Sequence, residues 1–277
     1  MISDKGRQHG REVELQLDEE SFSDFRINFR VTKDLGAEPN SANIEIYGLG
    51  RKSTAKVLNR TRDLRVRLLA GYNVPRLIFE GNPVRNGVEF ETDSPERIIK
   101  IEANDGLHQY QSARVNFSVE EDTTYDQLVN KIARDAGFST ASIGNIPQGS
   151  RKVTVGRVVE GRARDHLDYV AEALGCDWSI QDGNFQFLHK DDIGKDRGYR
   201  FSPELGNIIE SPKPKDGGNV EVTVLLHHID PGDRFEIRGV EVDEFNGVYK
   251  AESVVYNGDS GFENAFYSNI EARPLPT

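Results

Sequence analysis

Phe25-Arg26-Ile27-Asn28-Phe29-Arg30-Val31 alternates apolar and polar side chains without a break. A period of two sets Phe25, Ile27, Phe29 and Val31 on one face of a strand and Arg26, Asn28 and Arg30 on the other, which predicts a half-buried β-strand. The same reading spreads outward. Ile44 and Ile46 repeat it after Glu38-Pro39-Asn40-Ser41, and residues 51–59 predict one short helix. Leu64, Val66 and Leu68 then alternate with Arg65 and Arg67. Leu77–Gly81, Val88–Thr92 and Ile98–Ala103 follow as further strands, with Asn82-Pro83, Asn86-Gly87 and Asp93-Ser94-Pro95 as turn signals. A second block opens with Val220, Val222, Val224 and Leu226 and continues through Phe235–Ile237, Gly247–Tyr249, Val254–Tyr256 and Phe262–Ala272. Short strands at this spacing predict a closed or nearly closed antiparallel barrel at each end rather than alternating βαβ units.

Between the blocks the period changes. Thr124 followed by Gln127 predicts a capping box, with Tyr125, Leu128, Val129, Ile132, Ala133 and Ala136 on one helical face and Gly137 as the stop. A second helix is expected from about 162 to 174, with Leu167, Val170, Ala171 and Leu174 inward and Gly175 as its stop. Trp178-Ser179-Ile180 and Phe185-Gln186-Phe187 flank Gln181-Asp182-Gly183-Asn184, whose Asp-Gly pair predicts a hairpin turn. The Pro- and Gly-rich run Ser211–Gly218 reads as a loop or domain boundary. The expected fold is mainly β with an α+β insert: an N-terminal barrel over 1–117, a small helix/hairpin domain over 118–200 and a C-terminal barrel over 201–277.

The composition fits several modest cores. Apolar residues make up 36% of the chain and mean hydropathy is −0.60, which suits a subunit whose surface is partly covered by partners. One cysteine, Cys176, leaves no internal disulfide and no multi-cysteine zinc site. Met1–Glu12 lacks an apolar stretch and no apolar run approaches about 18 residues, so neither a signal peptide nor membrane insertion is expected. The net charge of −11 divides into 0 for residues 1–115, −3 for 116–200 and −8 for 201–277. An acidic C-terminal third argues against phosphate-backbone binding. The contrary patch lies at 51–67, where Arg51, Lys52, Lys56, Arg60, Arg62, Arg65 and Arg67 face only Asp63. These seven residues form a candidate protein interface for an acidic partner, beside two other readings, a solvated surface and a nucleic-acid contact.

The residue types suited to catalysis or metal binding do not form motifs. His227-His228 are strand neighbours that point to opposite faces and cannot share an ion. Cys176 and His166 lack an orienting third group. Glu120-Glu121-Asp122 and Asp191-Asp192 sit in polar, loop-like stretches, whereas glycosidase chemistry needs two carboxylates facing across a cleft. There is no P-loop, no GxGxxG after a strand, no HExxH and no GxSxG. No catalytic residue, metal site or cofactor is expected.

Several short segments, in order, resemble phage baseplate hub proteins. Asn43-Ile44-Glu45-Ile46-Tyr47-Gly48-Leu49 looks like a strand of that family, and Ala70-Gly71-Tyr72 with Leu77-Ile78-Phe79-Glu80-Gly81 looks like its next hairpin. Glu102-Ala103-Asn104-Asp105-Gly106 resembles the segment that closes the first barrel, and Pro231-Gly232-Asp233, Gly247-Val248-Tyr249 and 262–274 are similar to the C-terminal barrel. The resemblance, to the late-control-D-like group, implies two tail-tube-like barrels per subunit and a homotrimer that adapts a sixfold tail tube to a threefold spike. It implies the tail tube or distal tail protein and the central spike protein as partners, then the tape-measure protein and baseplate wedge, with DNA only in transit. The expected location is the virion baseplate, after assembly in the host cytoplasm. Rival readings are a cell-wall-acting or glycan-binding tail protein and a hexameric tube-terminator or distal tail ring.

Overall fold

The computed structural model describes residues 10–36, 38–59, 64–91, 97–106, 112–143, 151–194, 196–261 and 265–275. The first block contains β1 (Arg11–Leu17), β2 (Glu20–Phe22), β3 (Ile27–Asp34), β4 (Ser41–Tyr47), α1 (Arg51–Asn59), β5 (Val66–Tyr72), β6 (Arg76–Glu91) and β7 (Ile98–Asn104). The middle holds β8 (Arg114–Val119), α2 (Tyr125–Asp135), β9 (Ser139–Ile143), β10 (Arg157–Arg162), α3 (Ala163–Leu174), β11 (Cys176–Gln181) and β12 (Asn184–His189). The last block is β13 (Asp196–Phe201), β14 (Ile208–Pro214), β15 (Val220–Leu225), β16 (Arg234–Ile237), β17 (Gly247–Asp259) and β18 (Phe266–Pro274). The chain is mainly β with an α+β insert, as the alternation predicts.

The two terminal blocks share one sheet. It runs β14-β15-β18-β17-β3-β4-β7-β6-β5-β1-β2, with β16 attached to β17 and β13 to β16. The blocks meet where β17 pairs antiparallel with β3, from Ser253 opposite Asp34 to Asp259 opposite Asn28. This pairing removes an open edge from each block. It also merges their apolar faces: Ile27, Phe29 and Val31 of β3 join Val254, Tyr256 and Ile270 in a single core. Gly258 lies opposite Phe29, and a Cβ there would stand 2.2 Å from the Phe29 ring. Glycine lets the aromatic side chain lie flat across the junction.

The insert builds its own core from α2, α3 and the β11–β12 hairpin, with Leu128, Val129, Ile132, Leu167, Val170, Trp178 and Phe185 inside. The Thr124–Gln127 capping box forms reciprocally, and Gly175 ends α3 in the left-handed region at φ 66. Asp182 and Gly183 both take positive φ in the hairpin turn, which places Gln181 opposite Asn184.

Several strand expectations are corrected. Asn82-Pro83 and Asn86-Gly87 do not separate two strands. The chain continues as β6, whose first half pairs with β5 and second half with β7, and the turn chemistry is absorbed in a register shift between Pro83 and Val88. Gly247–Tyr249 and Val254–Tyr256 likewise belong to the one strand β17, bulged between Ala251 and Ser253. Ser211–Pro214, expected as linker, forms the end of β14, an edge strand that among the described residues pairs only with β15; prolines are tolerated on such an edge. Two pairings are parallel rather than antiparallel, β12 with β9 and β13 with β16. Pairing also crosses the expected boundaries: β8 pairs with β10 and packs in the insert, and β13 begins before residue 201 yet joins the C-terminal block.

Candidate functional site

The basic segment begins on α1, where Arg51 is exposed and Lys52 and Lys56 follow on the same helix. Arg60 and Arg62 lie outside the described residues. Arg65, just before β5, and Arg67 on it point outward, while Leu64, Val66 and Leu68, which alternate with them, are buried. Both arginines pair with Glu80 on the neighbouring strand: Arg65 through its guanidinium, and Arg67 Nε at 3.0 Å from Oε2. Arg67 also donates to Gln16 Oε1 at 3.0 Å. The chain thus meets part of this positive charge itself.

The histidines face different neighbours. His227 Nδ1 lies 2.6 Å from the Leu225 carbonyl with its ring edge-on to Phe201, and His228 Nε2 lies 2.6 Å from the Ala70 carbonyl in the first block. Burial pushes both below the ordinary imidazole range, so they are neutral packing groups. Cys176 is buried against the Leu174 carbonyl and its thiol is pushed up to about 11 by burial and then by Asp177, which suppresses the thiolate. His166 contacts the Glu160 carbonyl at 3.1 Å instead. Asp122 pairs with Lys152 at 3.1 Å, and Asp191 with Arg273 at 3.6 Å, both at the surface. Among the described residues no group of three or more His, Cys, Asp or Glu side chains is arranged to hold a metal ion.

A buried charged junction, not anticipated from sequence, ties the insert to the sheet. Lys33 of β3 is fully buried, with Nζ 2.7 Å from Asp182 Oδ2 in the hairpin turn and 3.1 Å from Asp230 Oδ1. Burial alone disfavours its ammonium, but Asp182 and Asp230 outweigh that and hold it protonated. Arg197 reaches Asp230 at 3.0 Å and Asp233 at 3.6 Å and donates to the His228 carbonyl at 2.6 Å. Asp105, just past β7, is fully buried and accepts the Gly183 N–H at 3.0 Å. Around these charges, Asn40 donates to the Ile180 carbonyl at 2.7 Å, and Gln181 donates to the Asp34 carbonyl at 2.8 Å. The sequence did contain a signal. Lys33 falls in phase with Ile27, Phe29 and Val31, and Asp105 in phase with Ile99, Ile101 and Ala103, so both alternations end in a charge on the core face.

No family model and no curated protein sequence matches the chain. Solved structures do. The 43 kDa tail protein of prophage MuSo2 from Shewanella oneidensis superposes with a TM-score of 0.64 at 10% identity, covering 95% of this chain and 98% of that one. The fold is that of phage tail proteins. A tail protein from Neisseria meningitidis gives 0.65 at 9% identity over 95% and 96% of the two chains. The E. coli c3393 protein, a type VI secretion component with structural similarity to the T4 tail proteins gp27 and gp5, gives 0.63 at 12% over 95% and 77%. The tail-protein fold therefore takes in nearly the whole chain, insert included.

Proposed function

We propose that the chain is a structural, non-catalytic component of a phage-type tail, and within it the baseplate hub. Three copies would present six barrel-like strand blocks and so adapt a sixfold tube to a threefold spike, leaving a channel for DNA in transit. The observation that carries this reading is the end-to-end likeness to tail proteins, over 95% of this chain and nearly all of two of theirs. The strand blocks at both ends and the acidic C-terminal third, which suits a channel that must not retain a polyanion, support it further. The tube or distal tail protein lies on one side and the central spike on the other, with the tape-measure protein and wedge nearby. Arg51, Lys52, Lys56, Arg60, Arg62, Arg65 and Arg67 meet an acidic surface of one of these neighbours. Likeness to a type VI secretion component favours a second setting, the equivalent position in a phage-derived injection machine. Immunogold labelling of intact particles tests the placement: label is expected at the spike-proximal tip of the tube, and label along the tube or at the head end refutes it.

A further inference from the structure

The insert and the sheet each close their own core, and the two apolar clusters are separate. No ladder joins them either: the β8–β10 pair and the β11–β12–β9 sheet stand apart from the large sheet. What connects the two bodies is polar and comes from the β11–β12 hairpin and the residues just after it. Asn40, just before β4, donates to the Ile180 carbonyl at 2.7 Å and to Gln181 Oε1 at 3.0 Å, and Gln181 donates to the Asp34 carbonyl at 2.8 Å. In the turn the Gly183 N–H meets Asp105 Oδ1 at 3.0 Å. At the other end of the hairpin, the fully buried Lys250 of β17 donates to the His189 and Lys190 carbonyls at 3.2 and 2.9 Å. Beyond it the Gly194 N–H meets the Gly232 carbonyl at 2.8 Å.

Where apolar side chains of the hairpin reach across, they meet glycine. A Cβ on Gly106 would stand 2.5 Å from Ile180 Cδ1, and one on Gly232 3.1 Å from Leu188 Cδ1. Beside the hairpin a cleft of about 530 Å³ lies between Asp177 and Lys190 of the insert and Asp34, Ser253 and Glu271 of the sheet. A seat made of hydrogen bonds is weak for its size, because water replaces each bond on opening, whereas a shared apolar core would resist in proportion to its area. Asp105 Oδ2, buried without a partner, adds a desolvation cost to the docked state that opening returns. We propose that the insert is a hinged module that undocks from the sheet as a folded unit, releasing both ends of the β11–β12 hairpin together while both cores stay closed. The chain passes between the bodies only twice, from β7 to β8 and from β12 to β13, so the motion breaks no strand pairing on either side. It lets the strand scaffold stay fixed while the insert leaves its seat.

Native-state hydrogen exchange of the full chain, read by NMR as urea rises within the folded range, tests this. The Gly183 and Gly194 amides report the two ends of the seat, Val170 of α3 reports the insert core, and Val31 of β3 reports the sheet. After correction for intrinsic rates, Gly183 and Gly194 should exchange through one common opening, at least about tenfold faster than Val170 and Val31. Asn40→Ala removes two of the bonds across the seat and should speed the glycine pair by about tenfold more, with Val170 and Val31 unmoved. Four amides that open together make the chain one cooperative unit and overturn the hinge. Gly183 opening without Gly194 is fraying of the turn and overturns it as well, and so does an Asn40→Ala pair that exchanges at the wild-type rate. The wild-type comparison decides even where the variant does not fold, and neither measurement depends on where the protein sits in a tail.

Discussion

Lys33→Met tests how the insert is held. The methionine fills most of the buried stem but removes the ammonium that lies 2.7 Å from Asp182 and 3.1 Å from Asp230. The two carboxylates are then affected unequally. Asp230 keeps Arg197 at 3.0 Å, whereas Asp182 loses its cation and already has one oxygen without a partner. Breaking a buried pair from one side costs about 3–5 kcal/mol because a charge is left uncompensated; the surviving Arg197 contact puts the expected loss at the low end, about 3 kcal/mol. That is a large part of the 5–15 kcal/mol typical of a folded domain. Urea unfolding at pH 7, followed by the fluorescence of the single tryptophan, Trp178 of the insert, reads it directly. The loss should shrink as pH falls, because burial raises the Asp182 carboxyl and a protonated Asp182 no longer needs the lysine. A loss below about 1 kcal/mol, the range of exposed ion pairs, would refute the claim that Lys33 anchors the hairpin.

Gly258→Val puts a side chain where a Cβ alone stands 2.2 Å from the Phe29 ring, so it should destabilise the β3–β17 junction by about 1–3 kcal/mol in thermal melts; a neutral result would mean that Phe29 swings aside freely. Charge reversal at Arg65 and Arg67 removes their pairs with the half-buried Glu80, so monomer stability should change by only about 1 kcal/mol while assembly weakens; unchanged assembly counts against the basic interface. The isolated protein should show no duplex binding in gel shifts near physiological salt, given −8 in residues 201–277. Tight binding that falls steeply with salt would place the 51–67 segment on DNA.

The strand alternation made most of the fold legible because a half-buried strand writes its burial into a period of two, and Leu64, Val66 and Leu68 are buried as that period requires. The capping box and the Asp182-Gly183 turn were equally plain, being local chemistry with few alternatives. What misled was turn chemistry inside long strands. Asn86 at φ 62 and Gly87 mark a bulge, and only the partner strand β7 decides between bulge and turn. The union of the two blocks was hidden for a related reason: β3 and β17 are more than two hundred residues apart, and register between distant strands leaves no trace in either one alone. The charged junction stood in between. Lys33 and Asp105 are visibly out of place on their core faces, but the partners that make them tolerable, Asp182 and Asp230, come from two other parts of the chain.

Symmetry is the direct test of the hub reading, and native mass spectrometry of any assembly of this chain, alone or with a tail-tube protein, measures it. Three 31.1 kDa chains, about 93 kDa of this protein per ring, are expected, because two strand blocks per copy complete a sixfold arrangement with three copies. A closed ring of six copies would contradict the account and make the protein a tube-like ring component instead.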